Sequence, residues 1–384
     1  MARFLIALLF LLPINLMAQN DSCHLRISLL TASPGEDLYS TFGHSALRVT
    51  DSVSNTDIVY NYGTFNFDEP GFYIKFTRGK LLYYLSRDYF ESFIVSYKEE
   101  NRSITEQVLN LSCKEKQHIN NKLQDNLLPQ NLYYQYDFLF DNCTTRLRDL
   151  IEKATDSSLH INEVLKKPTR FRDLLHEYLD RNDKQWSKLG IDLLLGSKTD
   201  AIMKPREIMF LPDYLMKSLD NATLHSAPLV AQKESIFKID YSRFSKDNLV
   251  HPIFIFTCLF VLIAILSFFK NSFVQNIIAS FDGFLFFVSG LLGVLFLFMW
   301  LGTDHVMCEN NYNLLWAWPT NLIAAFYVHS KIKWAKIYLI IYSLFNVILI
   351  ASWFFLPQQL NPALIPIIGI LIIRSWIILL KKNK

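Results

Sequence analysis

Residues Tyr136 to Leu150 read YDFLFDNCTTRLRDL, and the placement of Cys143 within them governs how the rest of the chain is understood. The aromatic run Tyr136-Asp137-Phe138-Leu139-Phe140 reads as a strand or a packed approach loop. Asp141 and Asn142 then supply helix N-cap chemistry. From Thr144 to Lys153 the spacing of Leu147, Leu150 and Ile151 predicts a helix with one apolar face. Cys143 therefore falls at or beside the first helical position, where unpaired amide N–H groups and the positive end of the helix dipole favour a thiolate. Two readings of such a sulfur stand side by side: an activated nucleophile, or a buried structural thiol of the kind most free cysteines are.

The 384 residues are 51% hydrophobic and 19% charged, but that average covers two populations. The first ~250 residues are mixed and carry most of the charge, and the remainder is strongly apolar, so a globular domain is joined to a membrane domain. The net charge of +3 is small and unclustered, which argues against nucleic acid as a partner. The start, MARFLIALLFLLPINLMAQ, has one Arg, an apolar centre and a small residue at Ala18, which fits a secretory signal peptide over residues 1–18. An uncleaved anchor is the competing reading, and either one exports the globular domain behind it. The five Cys, at 23, 113, 143, 258 and 308, do not form a disulfide framework, although a Cys23–Cys113 bridge stays open in an oxidising compartment.

Along the globular part, His24 to Leu30 alternates as a strand, and Ser33-Pro34-Gly35-Glu36 is a turn. From Gly43 the period is two, with His44, Ala46 and Arg48 on one face and Ser45, Leu47 and Val49 on the other. Ile58 to Phe65 is a second, hairpin-type strand that sets Asn61 beside the His44 strand. Asn is disfavoured within strands and usually sits there for a turn, a bulge or a polar partner. A short helix is expected within 69–79, strands over 80–86 and 103–111, and a helix capped by the Ser112–Glu115 box that ends before Pro129. Acyl transfer is the chemistry that needs an early His and a late Cys: a neutral imidazole takes the thiol proton and a third polar group fixes the imidazole. Asn61 is the first candidate for that third group, with Asp57 and Asp141 behind it. His118, His160, His176 and His225 fall in polar or helical contexts, and neither H-E-x-x-H nor Cys-x-x-Cys occurs, so no metal site is expected. Further helices are expected over 169–180, 183–195 and 212–219, followed by a polar connection over 226–250.

Beyond it, apolar runs near 251–270, 281–301, 312–329, 335–356 and 362–380 are each long enough to span a bilayer, the third being interrupted by Pro319 and Asn321. Lys270, then Lys331, Lys333 and Lys336, then Lys381, Lys382 and Lys384 follow alternate spans, while loops 302–311 and 357–361 hold no Lys or Arg. That asymmetry puts the tail in the cytoplasm and residues 19–250 outside, in agreement with the signal peptide. Loop 302–311 and its sequel carry Asp304, His305, Asn310, Asn311, Asn313 and Trp316. A polar loop needs no special explanation; the alternative is that Asp304, His305 and Asn313 meet a headgroup or incoming substrate.

FGHSALRV at 42–49, VYNYGTFNF at 59–67 and the Cys143 segment together resemble the exported domain of the Lnb-type bacterial lipoprotein N-acyltransferases, as do LLLG at 193–196 and FLPDYL at 210–215. The His-then-Cys order is similar to the circularly permuted papain-like superfamily related to NlpC/P60, which includes lecithin retinol acyltransferase. The resemblance covers nearly the whole chain, since that family also carries five C-terminal membrane helices. It implies an α+β, permuted papain-like catalytic domain over 19–225, a linker over 226–250 and an all-α five-helix membrane domain over 251–384. It also implies His44 as base and Cys143 as the acyl-accepting nucleophile, with a phospholipid as acyl donor and a diacylated lipoprotein as acceptor at the bacterial inner membrane. No cofactor is implied. A membrane-anchored cell-wall cysteine peptidase or amidase, or a non-enzymatic receptor with a structural Cys143, are the rival classes.

Overall fold

The computed structural model describes residues 23–239 and 250–381. The expected signal peptide, part of the expected linker and the last three residues lie outside them. The N-terminal domain is built on one antiparallel sheet whose strand order is β10-β5-β1-β2-β3-β4-β6. Its strands are β1 (Leu25–Ala32), β2 (His44–Asp51), β3 (Thr56–Thr64), β4 (Leu82–Tyr89), β5 (Ile104–Leu109), β6 (Tyr133–Gln135) and β10 (Val230–Phe237). The alternation read from the sequence is reproduced: Leu29, Leu47, Val49 and Tyr60 enter the main core, while Leu30, Ala46 and Val59 face a smaller one. Helix α1 (Phe72–Thr77) connects β3 to β4, and α2 (Phe90–Glu99) follows β4 directly and closes the smaller core with Phe93 and Ile94. The main core is covered by α3 (Cys113–Leu127), α4 (Cys143–Thr155), α5 (Phe171–Arg181) and α7 (Pro212–Asp220), with α6 (Gln185–Leu194) at the base. A small sheet of β7 (Leu159–Ile161), β8 (Ala222–Leu224) and β9 (Ala227–Pro228) completes the domain.

One sequence expectation is corrected here. Residues 226–250 are not simply a linker: Val230 to Phe237 pairs antiparallel with β5 as the outermost strand of the main sheet. Its central run of polar and charged residues, Gln232, Lys233 and Glu234, exposed on both faces, is what an edge strand presents to water, and it removed the alternation that would have revealed it. Of the five expected membrane segments, four are regular helices among the described residues. These are α8 (Pro252–Ser267), α9 (Ser272–Leu301), α11 (Lys333–Ala351) and α12 (Leu364–Lys381), of which the last three are long and apolar enough to cross a membrane. The third expected span, 312–329, is a broken segment with only a 3-10 turn (Tyr312–Leu315) and α10 (Asn321–Ala324).

Pro319 interrupts the helical ladder, and the freed polar groups are satisfied inside protein rather than in lipid. Asn321 is buried and bonds the Ser289 and Tyr342 hydroxyls at 3.0 and 3.1 Å, and the Tyr342 hydroxyl donates to the Trp316 carbonyl at 2.6 Å. The segment lies against α9 where Gly290 and Gly293 remove the side chain. A Cβ at Gly293 would sit 2.1 Å from the Ala317 carbonyl oxygen, and one at Gly290 would sit 2.3 Å from the Leu322 nitrogen. Asp282 of α9 is fully buried between the Arg374 guanidinium, at 2.7 Å, and the His329 ring, at 2.9 Å, so its charge is paired within the bundle.

The two halves are joined by a buried polar network. Arg172 is 0% exposed and bonds Asp192 at 2.7 Å, Asp200 at 3.0 Å and the Thr199 hydroxyl at 2.7 Å. From the bundle side Asn361 donates to Asp192 at 2.8 Å, Gln358 to the Leu195 carbonyl at 2.8 Å and Asn311 to the Leu193 carbonyl at 2.7 Å. Both Lys-free loops of the bundle therefore touch the N-terminal domain, whereas Lys381 bonds Gln275 at the opposite end.

Candidate active site

Asn142 is the N-cap of α4, as the sequence predicts, and its side chain accepts hydrogen bonds from the Thr144 and Thr145 amides, both at 2.8 Å. The Thr145 hydroxyl answers by accepting from the Asn142 amide at 2.8 Å, which closes a capping box. The other end of the Asn142 amide donates to the Phe138 and Phe210 carbonyls at 2.7 and 2.8 Å. One buried side chain thus fixes the helix start, the aromatic approach turn and the 207–210 segment together. Cys143 is the first residue of the helix, half-buried, with the amide donors of the first turn around it.

His44 begins β2 immediately after Gly43, whose φ of +80° is one that a side chain rarely adopts. A Cβ at Gly43 would also approach the Ala32 carbonyl oxygen to 2.8 Å. The β2–β3 register, with Leu47 opposite Tyr60, makes His44 and Asn61 diagonal neighbours on one face, and β3–β4 places Asp88 diagonally from Asn61 on that same face. The side chains connect accordingly: His44 Nε2 lies 3.3 Å from Asn61 Oδ1, and Asn61 Nδ2 donates to Asp88 Oδ2 at 3.2 Å. Because the carboxylate fixes which end of the amide is nitrogen, the oxygen faces the ring and accepts from Nε2–H. That tautomer leaves Nδ1 as a lone-pair base for the sulfur. Tyr97 of α2 stacks on the imidazole with ring centroids 6.4 Å apart.

Burial pushes the Cys143 thiol up. The His44 charge and hydrogen bond, the Ser45 backbone amide and the Thr144 hydroxyl outweigh it, and the thiol falls from an ordinary value of 9.0 to about 7. A sulfur half ionised near neutral pH and in reach of an oriented imidazole can attack a carbonyl carbon. The amide of Cys143 itself, at the first helical position, is a donor suited to the oxyanion that attack creates.

The sulfur opens onto a cavity of about 790 Å³ between the N-terminal domain and loop 302–311. Its wall is more apolar than polar, with Phe42, Phe65, Tyr83 and Phe138 among its aromatic side chains. Asp304 and His305 line it too: the His305 ring donates to the Phe76 carbonyl at 3.0 Å, and Gln135 donates to Asp304 at 3.4 Å. Asn313, expected with them, is elsewhere. It is 0% exposed, donates to the Asp192 carbonyl at 2.9 Å and accepts from the Trp316 indole at 3.0 Å, so it seals the junction and has no face for a substrate. Asp57 and Asp141 are held by Arg48 and Arg146, each through two hydrogen bonds, and not by His44. Cys23 and Cys113 are not bridged. Asp88 carries no sequence signal of its own. Asp88 lies on the alternating face of a strand whose register with β3 is shifted by an irregularity between Asn61 and Thr64, so only the folded pairing identifies it. Among the described residues, no three His, Cys, Asp or Glu side chains converge as metal ligands do.

No curated protein and no solved structure matches the chain. Two family descriptions do: residues 15–178 match the Lnb N-terminal periplasmic domain, and residues 244–384 match the Lnb transmembrane domain. Between them these matches span most of both halves, and the chain belongs to the Lnb family.

Proposed function

We propose that the protein is a lipoprotein N-acyltransferase that carries an acyl chain from a phospholipid, through a Cys143 thioester, to the α-amine of a diacylglyceryl-cysteine. Membership of the Lnb family supports an acyltransferase acting on membrane lipoprotein and phospholipid. The single observation that carries the chemistry is the thiol at about 7, beside an Asn61-held His44, facing an aromatic cavity that abuts the membrane loop. His44 Nδ1 takes the thiol proton. The sulfur forms a C–S bond to the ester carbonyl carbon as the bond from that carbon to the glycerol oxygen breaks, and the imidazolium returns the proton to the departing glycerol oxygen. The lipoprotein amine then forms a C–N bond to the same carbon, the C–S bond breaks, and His44 takes the amine proton. An apolar wall shields the thioester from water, and two lipid-anchored substrates meet in the plane of the bilayer rather than in bulk solution.

The order of an early His strand and a late Cys helix supports a circularly permuted papain-like domain. Lys270, Lys331, Lys333 and Lys336 flank the bundle ends remote from the N-terminal domain, which supports a multi-pass protein of the bacterial inner membrane with a periplasmic catalytic domain, a cytoplasmic C-terminus and a signal peptide at its start. A cell-wall hydrolase needs an open, polar groove for its glycopeptide, and the aromatic cavity against loop 302–311 suits a lipid instead. The test is mass spectrometry of lipoprotein N-termini from cells in which this is the sole such enzyme. Cys143→Ala and His44→Ala are expected to abolish the amide-linked acyl chain, and unchanged triacylated termini would refute the reaction.

A further inference from the structure

The six residues of α1, Phe72–Thr77, turn three apolar side chains outward: Tyr73 is 79% exposed, Ile74 is 69% exposed and Phe76 is half-exposed, with Phe67 equally open beside them. So dense an apolar surface on one short helix is costly in water. Its position explains it. The Asp304 amide donates to the Arg78 carbonyl at 2.9 Å, and the His305 ring holds the Phe76 carbonyl. Asp304 comes three residues after Leu301, the exposed last residue of α9, so α1 lies within about 10 Å of chain from the end of a membrane-spanning helix. A short apolar helix that close to the end of a spanning helix is within reach of the bilayer interface, where amphipathic helices bury their apolar face. Arg78 and Lys80, both exposed, come next at headgroup level.

The inner face of α1 leads to the sulfur through a chain of packed rings. Phe72 packs on Phe65 with centroids 5.9 Å apart, Phe65 on Tyr83 at 5.3 Å and Tyr83 on Tyr136 at 4.4 Å. Tyr136 and Cys143 then meet across Gly63, where a Cβ would lie 3.5 Å from both. We propose that α1 and Phe67 are seated in the outer leaflet of the bilayer that holds the helices, and that membrane phospholipid reaches Cys143 along this aromatic path. The second half rests on the acyl-transfer reading; the first does not.

The experiment uses the full chain in nanodiscs of phosphatidylethanolamine and phosphatidylglycerol. The photo-crosslinker p-benzoylphenylalanine is placed at Tyr73 or, as control, at Val53, which is 80% exposed in the turn at the far end of the β2–β3 hairpin. Irradiation is expected to join lipid acyl chains to position 73 and not to 53. Equal capture at both, or none at 73, overturns the docking. The double variant Tyr73→Asp, Ile74→Asp is expected to slow acyl transfer from bilayer lipid by about tenfold or more, the effect of losing roughly 1.4 kcal/mol of interfacial binding. Iodoacetamide should meanwhile alkylate its Cys143 at the wild-type rate, which shows the site intact. Wild-type transfer by that variant overturns the path. Crosslinking is read without turnover, so failure of acyl transfer in the unaltered protein counts against the reaction and not against the docking.

Discussion

Replacing His44 by Ala removes the group whose charge and hydrogen bond bring the Cys143 thiol down to about 7, while the burial that raises it remains. The thiol should return to its ordinary value of 9.0 or above. At pH 7 the thiolate fraction then falls from about one half to about one hundredth, a ~50-fold loss. A more basic sulfur is intrinsically more nucleophilic, by about six- to tenfold over two pH units. The net expectation is that iodoacetamide alkylates Cys143 about five- to eightfold more slowly at pH 7. Above about pH 9, where both proteins are largely ionised, the order reverses and the variant reacts faster. The sign is fixed: a lowered thiol pKa means reactivity already present at neutral pH and lost as the pH falls through 7. Peptide mass spectrometry isolates Cys143 from the other cysteines in the full chain. Acyl transfer should suffer far more than alkylation, by ~10²–10⁴-fold, because it also loses its acid–base catalyst. An alkylation midpoint still near pH 7 in His44→Ala would refute the assignment of the ionised sulfur to this pair.

Other consequences are equally concrete. Asn142→Ala removes the cap of α4 and leaves the Phe138 and Phe210 carbonyls without their donor, and thermal or denaturant unfolding should show a loss of about 2–4 kcal/mol. Arg172→Leu strands Asp192 and Asp200 in the junction and should cost about 3–5 kcal/mol, with limited proteolysis separating the two halves. Gly293→Val forces a side chain into the Ala317 carbonyl and should reduce the yield of folded protein in detergent, whereas a Gly190→Ala control, where a Cβ meets open space, should not.

The placement of His44, Asn61 and Cys143 was legible because each rests on local grammar. His44 and Asn61 follow from period-two alternation in adjacent strands, and Cys143 from N-cap chemistry at Asn142. What escaped was non-local. Asp88 joins the chain of hydrogen bonds only through the register of β4 on β3, whereas α2, which supplies Tyr97, does carry Phe90, Phe93, Ile94 and Tyr97 at helical spacing, a signal the sequence reading passed over. The outermost strand, Val230 to Phe237, was hidden by the polarity that protects an edge. Asn313 shows the converse failure. A polar residue near a membrane surface reads as a ligand, yet its amide is spent on the backbone of the domain that docks there. The broken third segment was flagged by Pro319 and Asn321, but only the close approach to Gly290 and Gly293 explains how it persists within the bundle.

The central claim is that Cys143 itself carries the acyl group. Purified full-length protein in nanodiscs is incubated with a phospholipid of defined chains and no acceptor, and the Cys143 peptide is weighed before and after hydroxylamine. A mass gain equal to one acyl chain, removed by hydroxylamine and accompanied by release of lysophospholipid, is the predicted result. An unmodified Cys143 peptide in a preparation that still acylates added diacylated lipopeptide would contradict it.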